Sequence, residues 1–334
     1  MGPASSLDED RNMTQTLTPP PAVASLPAAP AARPRRRGQL RARLEIALFT
    51  GPALLVFLGF VILPIVLAAF YSFFNWNGLG PLERFIGFDN YARALGDPVF
   101  LTAIRNNFTI VGLSLVIQGP LAIAVALLLN RKLRGRSVFR ALIFVPYVLA
   151  EVIAGLSWKL LLSPRGGINA VLESVGLGDL AQPWLANPDI ALGVMFVILT
   201  WKYVGFATLL MFAGLQGVPQ ELQEAAAIDG ASWWQTQWRI TLPLLAPTIR
   251  IWAFLSIIGS LQLFDMVWVT TKGGPVGATN TMAVYMLQNG QGAPGYGSAI
   301  AVILFVISLI VALVFQRTIM RRDLAGALTT SGGR

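Results

Sequence analysis

The chain contains no cysteine and no histidine. Without thiols there is no disulfide framework and no sulfur nucleophile, and without imidazole the commonest general base and metal ligand are both missing. Hydrolytic triads and most zinc sites are thereby excluded. Charge is scarce too: 12% of residues are charged, about half the share of a soluble domain. Against that stand 55% hydrophobic residues and a mean hydropathy of +0.64. This is the balance of a membrane protein. A formal net charge of +9 would suit nucleic acid if the cations were gathered on one soluble domain, but they lie in the segments between apolar runs.

The expected fold class is all-α, a polytopic membrane protein of about six transmembrane helices, since each bilayer crossing takes roughly 20 apolar residues. The runs fall near Leu44 to Phe70, Phe108 to Leu129, Val138 to Leu162, Ile190 to Leu215, Leu244 to Val269 and Ala299 to Phe315. Pro64, Pro120 and Pro146 sit inside them; a kinked helix is tolerated in a membrane when neighbours satisfy the freed carbonyls. Residues 1–43 carry no periodicity and little apolar surface, so a disordered tail is expected there. The membrane-spanning body then covers 44–320 and a short C-terminal tail 321–334. The first span reads as an uncleaved helix, because its n-region and apolar core both exceed those of a signal peptide.

Lysine and arginine are retained on the cytoplasmic side of a membrane. Arg33, Arg35, Arg36, Arg37, Arg41 and Arg43 precede the first span, Arg131, Lys132, Arg134, Arg136 and Arg140 follow the second, and Arg317, Arg321 and Arg322 follow the last. All fall on one side, which places both termini in the cytoplasm.

By the same count the segment between the fourth and fifth spans, residues 219–243, is cytoplasmic. Pro219 suits a first helical position, Glu221 and Glu224 lie at the positive end of the helix dipole, and Gly230 supplies a C-terminal cap. Ser232 with Gln235 three residues later forms a capping-box pattern, and a second helix carries Trp234 and Trp238 until Pro243 stops it. A helical hairpin results. Leu222, Ala225, Ala226 and Asp229 share one face of its first limb, and the small alanines allow another backbone to come close. Helices this short are marginal alone, well under the roughly 12 to 15 residues an isolated helix needs. Reading DNA is excluded by charge, since Arg239 stands nearly alone against Glu221, Glu224 and Asp229. A hairpin lying at the lipid surface through its tryptophans remains open on spacing alone.

Glu224-Ala225-Ala226, Gly230 four residues after Ala226, and then Ile240, Leu242 and Pro243 resemble the cytoplasmic signature of permeases of binding-protein-dependent ABC transporters. The stretches Val145 to Leu172 and Phe264 to Leu287, and the opening of the first span, resemble the carbohydrate branch of that family; Lys272 departs from the small residue usual there. The resemblance covers about Leu44 to Met320. It implies that Glu224, Ala225, Ala226, Asp229, Gly230, Ile240, Leu242 and Pro243 couple to a separate ATPase subunit, that a second, related permease chain completes the path, and that an extracytoplasmic solute-binding protein delivers the cargo. The chain has no G-x-x-x-x-G-K-[ST] loop, so ATP belongs to the partner and no cofactor is expected here.

Ionisable groups within spans are expensive and face a cavity or a partner. Lys159 and Lys202 can snorkel to an interface and Glu151 can pair within the bundle. Gln262 and Asp265, three apart and followed by Trp268, can present polar edges and a ring to a sugar, although Asp265 can equally fix its helix to the following loop. With Tyr203 and Trp158 they form the expected substrate path. The few charges are mixed in sign and scattered, which points to a neutral sugar or polyol. A secondary transporter would need intramembrane carboxylates for a coupling ion, and a membrane enzyme a convergent nucleophile or metal set.

Overall fold

The computed structural model describes residues 36–82, 84–131 and 134–320. The expectations for residues 1–35 and 321–334 lie outside them. Two units are distinguished, one ending at Leu58 and the other beginning at Gly59. In the first, α1 spans Arg36–Phe57, beginning inside the segment expected to precede the first span; Ile46, Leu48, Phe49 and Leu55 on it are exposed, as lipid-facing side chains are.

The second unit is helical throughout, with one isolated bridge between Phe74 and Phe85 as its only extended pairing among the described residues. Its principal helices are α2 (Leu63–Tyr71), α3 (Pro98–Asn130), α4 (Arg136–Val148), α5 (Glu151–Leu161), α6 (Ala191–Gln216), α7 (Gln220–Ile228), α8 (Trp233–Thr236), α9 (Leu242–Leu261), α10 (Asp265–Thr270), α11 (Met282–Gly290) and α12 (Pro294–Phe315). Among the described residues of the whole chain five stretches are long and apolar enough to cross a membrane, and α4 with α5 makes a sixth if that bent pair is one span. The second span begins at Pro98, ten residues before the expected start, because Asp97 accepts from the backbone N–H groups of Val99 and Phe100 and so caps the helix there.

The spans pack through small residues and buried apolar side chains. Ala122 and Ala126 of α3, Met211 and Leu215 of α6, and Leu245 and Trp252 of α9 make one cluster. Met195 and Ile198 of α6 with Met266 and Val267 of α10 make another, and Phe100, Leu261, Met282, Tyr285 and Ile300 a third. At the crossing of α4 and α6 there is no room for a side chain: a Cβ on Gly205 would run into the carbonyl oxygen of Ile143.

Proline is answered in two ways. Pro64, Pro120 and Pro243 each follow a five-residue π-turn, Leu58–Ile62, Ser114–Gln118 and Gln237–Thr241, as the second residue beyond it. The carbonyl that the ring of Pro243 would strike, that of Arg239 four residues back, is the middle one of its turn, and the same holds at Pro64 and Pro120. Widening the turn moves that carbonyl aside, and the i→i+5 bonds from Gly119 to Ser114 and from Leu242 to Gln237 keep the chain helical. Pro243 therefore does not stop the second limb of the hairpin as expected. That limb runs on into the membrane helix.

The expected span from Val138 to Leu162 is not one straight helix. It breaks between α4 and α5 by 95°, where Leu149 and Ala150 both adopt extended geometry at φ −60 and ψ 139. Pro146, three residues earlier, has no N–H to continue the ladder, and the carbonyls freed at the break find another donor.

Candidate functional site: a docking hairpin and a bundle cleft

The donor is Lys202. It is buried to 1% exposure on α6, and its ammonium group donates to the carbonyl oxygens of Pro146 and Tyr147, both at 3.1 Å, and to that of Leu149. It lies 3.8 Å from Glu151, the first residue of α5. Lys202 does not snorkel; it closes the open end of α4, where carbonyls without an intrahelical partner attract a cation. Glu151 pairs within the bundle, and its Oε1 also accepts from the Tyr203 hydroxyl at 2.8 Å. Lys159, by contrast, is exposed.

Beside this cluster, a cleft of ≈ 220 Å³ opens between α3, α6 and α9. Ser114 and Gln118 of the α3 π-turn, Tyr147, Tyr203 and Phe206, and Trp252, Ser256 and Ser260 of α9 line it together with aliphatic side chains, and none of the lining residues is charged. Tyr147 stacks on Phe206 at 4.9 Å and meets Tyr203 edge-on at 6.3 Å, which gives one wall a continuous aromatic surface. On another wall Ser114 donates to Gln118 Oε1 and shares a 2.7 Å hydrogen bond with Ser256. Small polar groups are thus paired among themselves, with ring faces opposite.

Of the expected substrate-path residues, Tyr203 lines this cleft. Gln262 and Asp265 are exposed and flank the break between α9 and α10, on either side of Leu263, which does line it. Trp268 stacks on Phe264 at 5.7 Å, with Lys272 above its ring, and Trp158 packs edge-on against Trp201. These rings belong to the cluster around Met266. Ser114, Gln118, Tyr147 and Ser256 were not singled out from the sequence. The signal for them was faint: polar residues one helical turn apart in an otherwise apolar run.

The hairpin stands at the end of α3 opposite Asp97, next to Arg131. Gly230 has φ +78; its N–H bonds the carbonyl of Ala227 and the N–H of Ala231 that of Ala226. That pair of bonds is a Schellman cap, and it requires the left-handed geometry that glycine adopts freely. Ser232 then accepts from the Gln235 N–H, while the Gln235 side chain accepts from the Ser232 N–H at 2.7 Å, closing the capping box. The second limb is anchored by buried Thr236 and Gln237 and by the Arg131 guanidinium 4.3 Å over the Trp233 ring. Of the face shared by Leu222, Ala225, Ala226 and Asp229, only Ala226 is buried. Leu222, Ile228, Trp234 and Trp238 are exposed, Ile228 to 86%. Asp229, Gly230 and Ile240 surround one hollow with Gln235 and Arg239, and Glu224 lies in a second with Arg136 and Gln223. Leu242 is half-buried and Pro243 exposed at the start of α9, so these two belong to the membrane helix.

Residues 118–325 match the family described as binding-protein-dependent transport system inner membrane component. The chain is 36% identical over 277 residues to the trehalose/maltose transport system permease protein MalF of Thermococcus litoralis, covering 81% of this chain and 92% of that one. It is 35% identical over 272 residues to a probable ABC transporter permease protein of Pyrococcus horikoshii, covering 80% and 93%. It is 33% identical over 305 residues to the diacetylchitobiose uptake system permease protein NgcF of Streptomyces coelicolor, covering 86% of each. Among solved structures, a bacterial ABC transporter involved in import of the acidic polysaccharide alginate superposes with a TM-score of 0.73 at 25% identity, over 86% of this chain and 99% of that one.

Proposed function

As a member of the family of inner-membrane components of binding-protein-dependent transport systems, the chain is a transport subunit and not an enzyme, and we propose that it forms half of the path by which an ATP-driven importer takes up a neutral sugar or polyol. A second, related permease chain supplies the other half, and an extracytoplasmic solute-binding protein delivers the cargo. Both termini and the 219–243 hairpin face the cytoplasm. There the hairpin seats in a separate ATPase subunit, which holds the ATP.

The observation that carries the cargo assignment is the lining of the cleft: serine, glutamine and tyrosine groups with an aromatic wall, and no charged side chain. Stacking and uncharged hydrogen bonds hold a hydroxyl-rich ring without fixing a charge, whereas a charged solute needs opposite charge or helix termini along its route. Trehalose, maltose and diacetylchitobiose, named for two of the relatives, are of the same class; sulfoquinovosyl glycerol, named for a third, and the alginate of the superposed importer are acidic and set the alternative.

Coupling rests on the exposed apolar tip of the hairpin. Leu222, Ile228, Trp234 and Trp238 project from two short limbs whose turn is locked by its own caps, the construction of a short rigid lever. Its second limb continues into α9, which lines the cleft, so a push at the tip is delivered to the cargo path along one helix. The test is uptake by the complete transporter in vesicles. ATP-dependent accumulation of a neutral sugar, with no accumulation of uronate oligosaccharides or amino acids, is the expected result; selective uptake of a charged solute would overturn the cargo assignment.

A further inference from the structure

Behind the aromatic wall stand two ionisable groups, Glu151 and Lys202. Neither Glu151 nor Lys202 lines the cleft, yet both act on residues that do. Lys202 holds the backbone carbonyl of Tyr147, and Glu151 accepts the hydroxyl hydrogen of Tyr203. Glu151 is held in turn by Lys202 at 3.8 Å, while its second carboxylate oxygen is buried with no hydrogen-bond partner. A buried acceptor left unpaired is a standing cost that native structures rarely carry. A neutral residue at position 151 would avoid it. The carboxylate's one bond is to the wall tyrosine, and that bond has a chemical consequence: with its hydrogen committed, the phenol oxygen of Tyr203 can accept from a cargo but cannot donate to it.

We propose that Glu151, seated on Lys202, is a positioning residue that fixes Tyr203 as an acceptor-only contact and so selects a cargo offering a hydroxyl there over one offering a carboxylate or ether oxygen. The inference deepens the cargo assignment above and rests on it. A hydroxyl donates and is accepted. A uronate carboxylate can only accept and meets an oxygen with no hydrogen to give, backed by a second carboxylate.

The test uses the complete transporter in ATP-loaded vesicles, with a panel of neutral mono-, di- and oligosaccharides and a uronate oligosaccharide as probes. In Glu151→Gln the amide can donate to the phenol oxygen, which frees the Tyr203 hydrogen to turn toward the cargo. KM for the neutral cargo should rise roughly fivefold to tenfold, the worth of one hydrogen bond between neutral groups, with kcat nearly unchanged, and discrimination against the uronate should narrow. Tyr203→Phe should do the same, and Glu151→Gln added to Tyr203→Phe should change KM no further, because the carboxylate acts through that hydroxyl. A merely structural Glu151 would instead add its loss in both backgrounds. Equal KM and selectivity in Glu151→Gln and wild type, or additive effects in the double variant, would overturn the inference and leave the cargo assignment standing. Wild-type uptake of the uronate alone, or of no neutral sugar, would overturn both. Should Glu151→Gln fail to assemble, Tyr203→Phe, which leaves the Glu151–Lys202 pair intact, carries the test: unchanged KM and unchanged uronate discrimination there sink the proposal.

Discussion

Gly230 isolates the role proposed for the hairpin from its packing. A Cβ built there meets nothing within 4 Å, so a substitution creates no clash, and the whole cost comes from holding φ at +78. For an ordinary residue that left-handed geometry costs about 1–2 kcal/mol, less for asparagine and more for a β-branched side chain. The Schellman bonds to Ala226 and Ala227 depend on it, and α7, nine residues long, cannot hold its shape without them. If the formed hairpin is the state that docks, a penalty of about 1–2 kcal/mol lowers its relative population roughly 5- to 30-fold, and affinity for the ATPase falls by up to the same factor. The order should be Gly230→Asn mildest, then Gly230→Ala, then Gly230→Val. Insertion should not change, since the turn lies outside the candidate spans. The assay is titration of the ATPase subunit onto the permease pair in lipid nanodiscs, with ATP-driven uptake measured alongside. Gly230→Val binding the ATPase with wild-type affinity would refute the docking role; equal losses in Asn and Val would refute the backbone argument and point to some other property of the turn.

Three further outcomes follow from the same structure. Lys202→Met leaves the carbonyls of Pro146, Tyr147 and Leu149 without their shared donor and should cost about 3 kcal/mol or more, at about 1–3 kcal/mol for each buried group left unsatisfied; an unchanged thermal unfolding midpoint in detergent would contradict the capping role. Asp97 is held below the usual carboxylate range, first by the hydrogen bond from Tyr285 and then by the N–H groups of Val99 and Phe100, against the opposing effect of burial. Its contribution is therefore present above the unfolded value of about 3.9 and is lost as pH falls through the lower folded value. The midpoint gap between wild type and Tyr285→Phe should then close below about pH 4; a gap independent of pH would assign the loss to packing alone. Finally, a reporter active only outside the cell, fused after Arg322, should stay silent if both termini are cytoplasmic, whereas strong activity would mean an odd number of crossings.

The hairpin was legible because its determinants are local. Gly230, Ser232 and Gln235 lie within six residues of one another, and each does alone, or with a neighbour three positions away, what its side chain favours in any helix end. The spans were legible for a similar reason: an apolar run long enough to cross a bilayer needs no knowledge of its neighbours. Boundaries failed where a single polar group decided them, as when Asp97 started α3 ten residues early. Of the residues expected on the substrate path, Tyr203 alone lines the cleft. Gln262 and Asp265 flank the break after α9, while the cleft wall is built from Ser114, Gln118 and Ser256, which come from two helices more than a hundred residues apart.

The prolines separate what a local reading can reach from what it cannot. A proline announces a missing N–H and a displaced carbonyl, but not how the chain responds. At Pro64, Pro120 and Pro243 the response is local: the preceding turn widens by one residue and the helix continues. At Pro146 no such turn forms; α4 ends two residues later, and the carbonyls at that end, those of Pro146, Tyr147 and Leu149, pass to Lys202, 56 residues away from Pro146 in sequence. That lysine reads as a charge to be carried to the nearest water, because its partners are backbone atoms and backbone atoms carry no sequence signature. Only the packing of α6 against α4, made close by Gly205, brings its ammonium group to them. The same contact then places the next residue, Tyr203, against Glu151 and in the wall of the cleft. One set of long-range contacts thus ties the bend between α4 and α5 to the wall of the cleft.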